Sequence, residues 1–120
     1  MTDDENAGSP LIVCVPLTDD RQVAGGWGRA RRLAVASVAG GRILDWTEHD
    51  VHWDTLHDEA TEGSHHARVA RFLIDHYIDL VVAGHMGPPM AQMLATMGIR
   101  TLVGATGDAQ AAVASTTLGS

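Results

Sequence analysis

Lysine is absent from this chain. All eight basic residues are arginine, fifteen acidic residues outnumber them, and the net charge is −7 with histidines neutral. A surface of that sign repels phosphate backbones, which excludes general nucleic-acid binding. Arg29, Arg31 and Arg32 form one small positive patch, which we expect to be a solvated strand entrance. Cysteine is nearly missing as well: the single Cys14 rules out an internal disulfide framework, and its place within Leu11 to Val15 points to a buried strand thiol. No apolar run approaches the roughly 20 residues that span a bilayer. The acidic residues 1–9 have neither the basic start nor the apolar middle of a secretion signal, so we expect a cytoplasmic protein without a membrane partner.

What is present is enough for one core. The chain has 120 residues and is 45% apolar, the size of a single domain. Residues 1–9 read as a disordered acidic tail and residues 10–120 as one α/β domain. Leu11 to Leu17 reads as the first strand. Leu33 to Val38 and Arg42 to Thr47 flank Gly40-Gly41 and read as a hairpin. A long loop, Thr18 to Ala30, precedes that hairpin. Glu48 to Gly63 lacks periodicity and reads as loop, until Ser64 caps a helix running to about Tyr77. Ile78 to Ala83 is nearly continuous apolar sequence, as expected of a parallel strand covered on both faces, and the same logic applies to the fifth strand, Ile99 to Val103. The spacing between them predicts a helix over Pro89 to Met97 and a right-handed crossover.

The most informative segment is Gly84-His85-Met86-Gly87-Pro88-Pro89-Met90, a glycine loop between a strand and a helix. Glycines at 84 and 87 allow positive φ or close approach, and a helix N-terminus beyond them is an anion site. A similar loop, Gly104-Ala105-Thr106-Gly107-Asp108, follows the next strand and precedes an alanine-rich helix. Two such loops on neighbouring parallel strands face one crevice.

The seven histidines are His49, His52, His57, His65, His66, His76 and His85. Neutral imidazole is a common metal ligand, but no Cys-x-x-Cys or His-Glu-x-x-His spacing occurs. His49, His52 and His76 read as ordinary solvent-facing residues. His65 and His66 open a helix and diverge by about 100°. His66 shares a stripe with Ala70, Leu73 and Tyr77 and is expected to face the sheet, while His65 lies with Val69 and Phe72. A site would require His57 and His85 to approach from other loops. Met86, Met90, Met93 and Met97 lie on one helix face and read as core packing, with Met86 in the loop. Trp27, Trp46 and Trp53 are candidates to line a crevice or simply to pack.

Glu62-Gly63-Ser64-His65-His66-Ala67, Asp79 through Pro88, Met97-Gly98-Ile99 and Gly104-Ala105-Thr106-Gly107 together resemble the dinitrogenase iron-molybdenum cofactor-binding (biosynthesis) family. Trp27-Gly28-Arg29-Ala30 resembles the family's early aromatic-Gly-Arg-Ala element, and the likeness covers residues 11 to about 115. It implies a ribonuclease-H-like α/β fold, with a five-stranded mixed sheet flanked by helices, and a role in binding or carrying metal clusters or their precursors. Many members carry a histidine directly before the early aromatic, where this chain has Gly26. No cysteine lies on a candidate loop, which removes thiolate ligation.

The combined expectation is a small binding protein, not an enzyme, that carries a metal cluster or a metal-containing anionic cofactor precursor of iron–molybdenum type. A cofactor-assembly protein would be its partner. Trp27, Gly28, Arg29, Gly84, Met86, Gly87, Gly104 and Gly107 would shape the site, and His57, His65, His66 and His85 would serve a metal. The competing classes are a zinc hydrolase using three of those histidines with Glu59 or Glu62 as base, and a regulatory or assembly module without metal.

Overall fold

The computed structural model describes residues 10–55 and 62–116. Among the described residues, the elements with defined bounds follow one another as β1 (Leu11–Leu17), β2 (Arg32–Ala39), β3 (Arg42–Asp50), α1 (Glu62–Asp75), β4 (Leu80–Val82), α2 (Pro88–Thr96), β5 (Arg100–Leu102) and α3 (Ala109–Ala114). They form one mixed sheet in the order β3-β2-β1-β4-β5. β1, β2 and β3 are an antiparallel meander, whereas β4 joins β1, and β5 joins β4, in parallel. Gly40 and Gly41 both have positive φ, 60° and 76°, which a two-residue hairpin of the I′ type requires.

The apolar runs are explained by burial on two faces. Alternate β1 residues enter opposite cores. Cys14 joins Trp27, Leu33, Trp53, Val69, Leu73, Val81 and Leu94 on the α1 and α2 side. Val13, Val15 and Leu17 join Ala34, Ala36, Val38, Leu80, Val82, Ala109 and Val113 on the α3 side. A strand with both faces covered has no position for a polar residue, hence its unbroken hydrophobicity. The methionine stripe packs as expected: Met90 is buried, and Met86, Met93 and Met97 lean on the same core. Among the described residues, no helix is long and apolar enough to cross a membrane.

Several boundaries differ from the sequence reading. β3 continues to Asp50, past the expected end at Thr47, and so takes His49 out of the loop. It is an edge strand, half exposed along its length, so it needs no apolar signal. Its end is held by pairing with Arg32 to Ala34 and by side-chain contacts from Arg21 to Glu48 at 2.7 Å and from Arg32 to Asp50 at 2.9 Å. β4 and β5 have three residues each, shorter than the runs that contain them. Ser64 lies inside α1 rather than capping it.

The helix end also reverses the roles of the two adjacent histidines. α1 stops at Asp75, and Tyr77 follows with φ 56° and 81% exposure, so it cannot anchor an inward stripe. The buried stripe is His65, Val69 and Leu73, at i, i+4 and i+8, while His66 and Ala70 are half-buried.

Candidate functional site

Parallel β1, β4 and β5 all end at the same edge of the sheet, so the segments 18–31, 83–87 and 103–108 meet there. They are stitched together through the backbone. Trp27 N–H donates to the His85 carbonyl at 3.0 Å, Gly104 N–H to Gly84 at 2.9 Å and Val23 N–H to Gly107 at 2.8 Å. Gly26 and His85 also pair as a parallel bridge, and Gln22 pairs with Asp108.

The glycines differ in why they are needed. A Cβ on Gly84 would stand 3.1 Å from both the Cα and the carbonyl oxygen of Gly25, so close approach favours glycine at this position. Gly104 and Gly107 require it by backbone conformation, with φ of 85° and 84°. Gly87 requires it for neither reason: φ is −67° and ψ 152°, and a Cβ would meet Pro89 Cδ at an ordinary 3.9 Å. The expectation of positive φ or close approach therefore moves from Gly87 to its neighbours.

The side chains build inward from this edge. Trp27 is fully buried, edge-on to Trp53 with ring centres 5.4 Å apart. Its indole Nε1 has no hydrogen-bond partner among the described residues. Gly28 presents its carbonyl to His65 Nε2 at 2.7 Å, and Arg68 Nη1 donates to His65 Nδ1 at 3.1 Å. A carbonyl only accepts and a guanidinium only donates, so His65 is held as the Nε2–H tautomer. Both ring nitrogens are engaged. His65 thus fastens α1 to the Trp27-Gly28 loop, and metal ligation by this ring would require breaking one of those bonds.

His85 is exposed on the edge and Met86 is half-buried beside it. Arg29 is exposed on the neighbouring loop and His66 half-buried one position after His65. His57 and Glu59 lie outside the described residues, as does the side chain of Glu62. Among the described residues, no three His, Cys, Asp or Glu side chains converge on one point.

The two helix starts are already supplied with internal partners. Pro88 and Pro89 occupy the first turn of α2 and have no N–H to offer, and Ala91 N–H donates to Gly87. At α3, Ala109 N–H donates to Arg21, Ala111 N–H to the Asp108 carboxylate at 2.9 Å and Ala112 N–H to the Asp108 carbonyl. Asp108, Arg21 and Arg68 were not singled out from the sequence. Asp108 was legible as an acidic residue directly before an alanine-rich helix, and Arg68 only as the i+3 neighbour of His65.

Residues 9–118 match the family described as dinitrogenase iron-molybdenum cofactor. This chain belongs to that family. Among solved structures, that of PH0822 shares 19% sequence identity over 91% of this chain and 90% of its own, with a TM-score of 0.72. A Methanocaldococcus jannaschii protein provisionally described as a dinitrogenase shares 5% identity over 90% of this chain and 91% of its own, with a TM-score of 0.60. At these identities the two structures establish a shared five-stranded α/β fold. No curated protein matches the chain. For this family member, then, the edge brings together Trp27, Gly28, Gly84, His85, Met86, Gly87, Gly104 and Gly107, with His65 beneath them as a fastener.

Proposed function

We propose that this protein carries a metal cluster or a metal-containing anionic cofactor precursor at the edge formed by segments 24–29, 84–87 and 104–107, and that it is a carrier rather than an enzyme. The observation that carries this reading is the Trp27 N–H to His85 carbonyl bond at 3.0 Å. It fixes the backbone of an exposed histidine beside Met86 and within the loop seam, so one imidazole is presented from a rigid base. Membership of the family described as dinitrogenase iron-molybdenum cofactor supports this cargo class. The strand order, with β2 alone antiparallel to the rest, supports classing the fold as ribonuclease-H-like.

The donor set fits a cargo that brings its own sulfide and needs few protein ligands. Cys14 is fully buried in β1, and burial pushes its thiol far above the usual range, so no thiolate is offered. His85 would ligate the cargo, with His66 and His57 as further imidazoles, while Arg29 would balance negative charge. Attachment through few ligands suits transfer to a cofactor-assembly partner in the cytoplasm. The zinc-hydrolase alternative needs three histidines, and with both nitrogens of His65 engaged it would rest on His57, His66 and His85 together. The assembly-module alternative is favoured by the absence of a three-ligand cluster among the described residues.

Titrating the apo-protein with Zn²⁺ and separately with molybdate, above and below the free imidazole pKa of about 6.5, separates these readings. Ligation by neutral imidazole predicts divalent-metal binding that weakens on the acid side and is lost in His85→Ala. Tighter molybdate binding on the acid side, without divalent-metal binding, would replace the carrier model with an anion clamp. Absence of both would favour the assembly module.

A further inference from the structure

A second pair of imidazoles meets away from the loop edge. His49 projects from β3 and His76 follows the last residue of α1, and their ring centres are 4.7 Å apart with planes inclined at 59°. Phe72 supports both: His76 lies over it at 4.3 Å and His49 stands edge-on to it at 5.5 Å. Phe72 in turn packs edge-on against buried Trp53 at 5.8 Å. His76 is also fixed through its backbone, whose N–H donates to the Phe72 carbonyl at 3.1 Å. Both histidines are half-buried, so the pair is braced from beneath and remains open to solvent.

We propose that His49 and His76 form a binding site for a divalent late transition-metal ion, Cu²⁺ or Ni²⁺, separate from the loop-edge site. A metal–imidazole bond of about 2.0–2.1 Å puts each ring centre about 3.2 Å from the ion. Two such rings have centres about 4.5 Å apart at a right angle and about 5.2 Å apart at the tetrahedral angle. The observed 4.7 Å lies near the right-angle value, the adjacent positions of a tetragonal or octahedral ion, with waters completing its coordination. An inclination of 59° keeps the rings from stacking face to face. The net charge of −7 draws cations to the surface in general.

The test is a titration of the full chain with Ni²⁺ by calorimetry and with paramagnetic Cu²⁺ by NMR. The expected result is a saturable event, distinct from any binding at His85, that broadens the Phe72, His49 and His76 ring signals and persists in His85→Ala. His49→Gln and His76→Gln should each weaken it at least by the roughly 10- to 100-fold that loss of an outer-shell partner costs. His49→Phe keeps an aromatic ring against Phe72 while removing the nitrogen ligands, so it should also lose binding without loss of fold. Broadening centred on His85 while Phe72 stays sharp, or undiminished affinity in His49→Phe, would overturn the site.

Discussion

Replacing Gly84 by alanine should unpick the loop edge, and the cost can be worked from three contacts. The added Cβ would lie 3.1 Å from Gly25 Cα, 3.1 Å from Gly25 O and 3.3 Å from Ala24 O. Comfortable carbon contacts begin near about 3.5 Å, so the seam must open by several tenths of an ångström. All three atoms are backbone, and no rotamer change relieves the clash. Overpacking of this kind costs about 1–3 kcal/mol. The reduced freedom of the unfolded chain returns about 0.4–1 kcal/mol on exchanging glycine for alanine. The net loss is therefore about 1–2 kcal/mol, or about 4–8 °C in Tm for a domain near this size. Gly87→Ala is the matched control: its backbone is ordinary and its Cβ has space, so it should be neutral or slightly stabilising. Urea and thermal unfolding would give the difference. Amide exchange at Trp27 and Gly104, whose N–H groups bond across the seam to His85 and Gly84, would locate it. Equal stability of the two variants, with unchanged protection at those amides, would refute the close-approach argument.

Three further outcomes are expected. His65→Ala should destabilise the fold by about 2–4 kcal/mol, because it empties a buried position and strands the Gly28 carbonyl; half-buried His66→Ala should leave unfolding midpoints nearly unchanged and act on metal binding instead, so equal midpoints would sink the fastener role. Asp108→Ala should cost about 1 kcal/mol by uncapping α3 and Asp108→Asn much less, which urea midpoints would check. Acid should weaken the fold in two stages, because the affected pKa values are lowered on folding and the unfolded chain takes up protons first. Burial and His76 lower His49, so stability should fall below about pH 6.5; the Trp46 and Arg21 bonds lower Glu48 and the Arg32 bond lowers Asp50, so more should be lost below about pH 4. Unfolding measured across that range should show a shallower first stage in His49→Gln, and an identical slope would remove His49 from the account.

The sheet was legible wherever burial acts on both faces. β1 and β4 announce themselves because a doubly covered strand has no polar position, whereas β5 is an exposed edge strand carrying Arg100 and Thr101, and Gly40-Gly41 announces the hairpin because positive φ at both positions favours glycine. The end of β3 was illegible because an edge strand can be stabilised by charges brought from elsewhere in the chain: Arg21 and Arg32 reach Glu48 and Asp50. The site was legible as loops but not as atoms. The glycine-rich segments do meet at one edge, yet which position sterically favours glycine depends on Gly25 lying against Gly84, a contact 59 residues away in sequence. The exchange of His65 and His66 has a similar origin. Leu73 fits an inward stripe through either histidine, and the choice rests on where α1 ends, before Tyr77 could anchor one of them.

The same geometry bears on what the edge can recognise. Read from sequence, two helices starting behind glycine loops offer two anion cradles, which would make charge the main attraction. In the folded chain both starts are largely self-satisfied. Two prolines delete N–H groups from the first turn of α2, and the Asp108 carboxylate already occupies the position an external anion would take at α3. An anion approaching α3 would also meet that carboxylate's charge, which opposes binding in the first turn where the helix dipole would otherwise favour it. Discrimination at this edge must then come from side chains and from the coordinating capacity of the cargo. His85 can supply a metal bond that a bare oxyanion has no orbital to accept, and Arg29 supplies charge without depending on helix N–H groups. On the proposed carrier reading, a metal-centred cargo would therefore fit the edge better than a free oxyanion of the same charge.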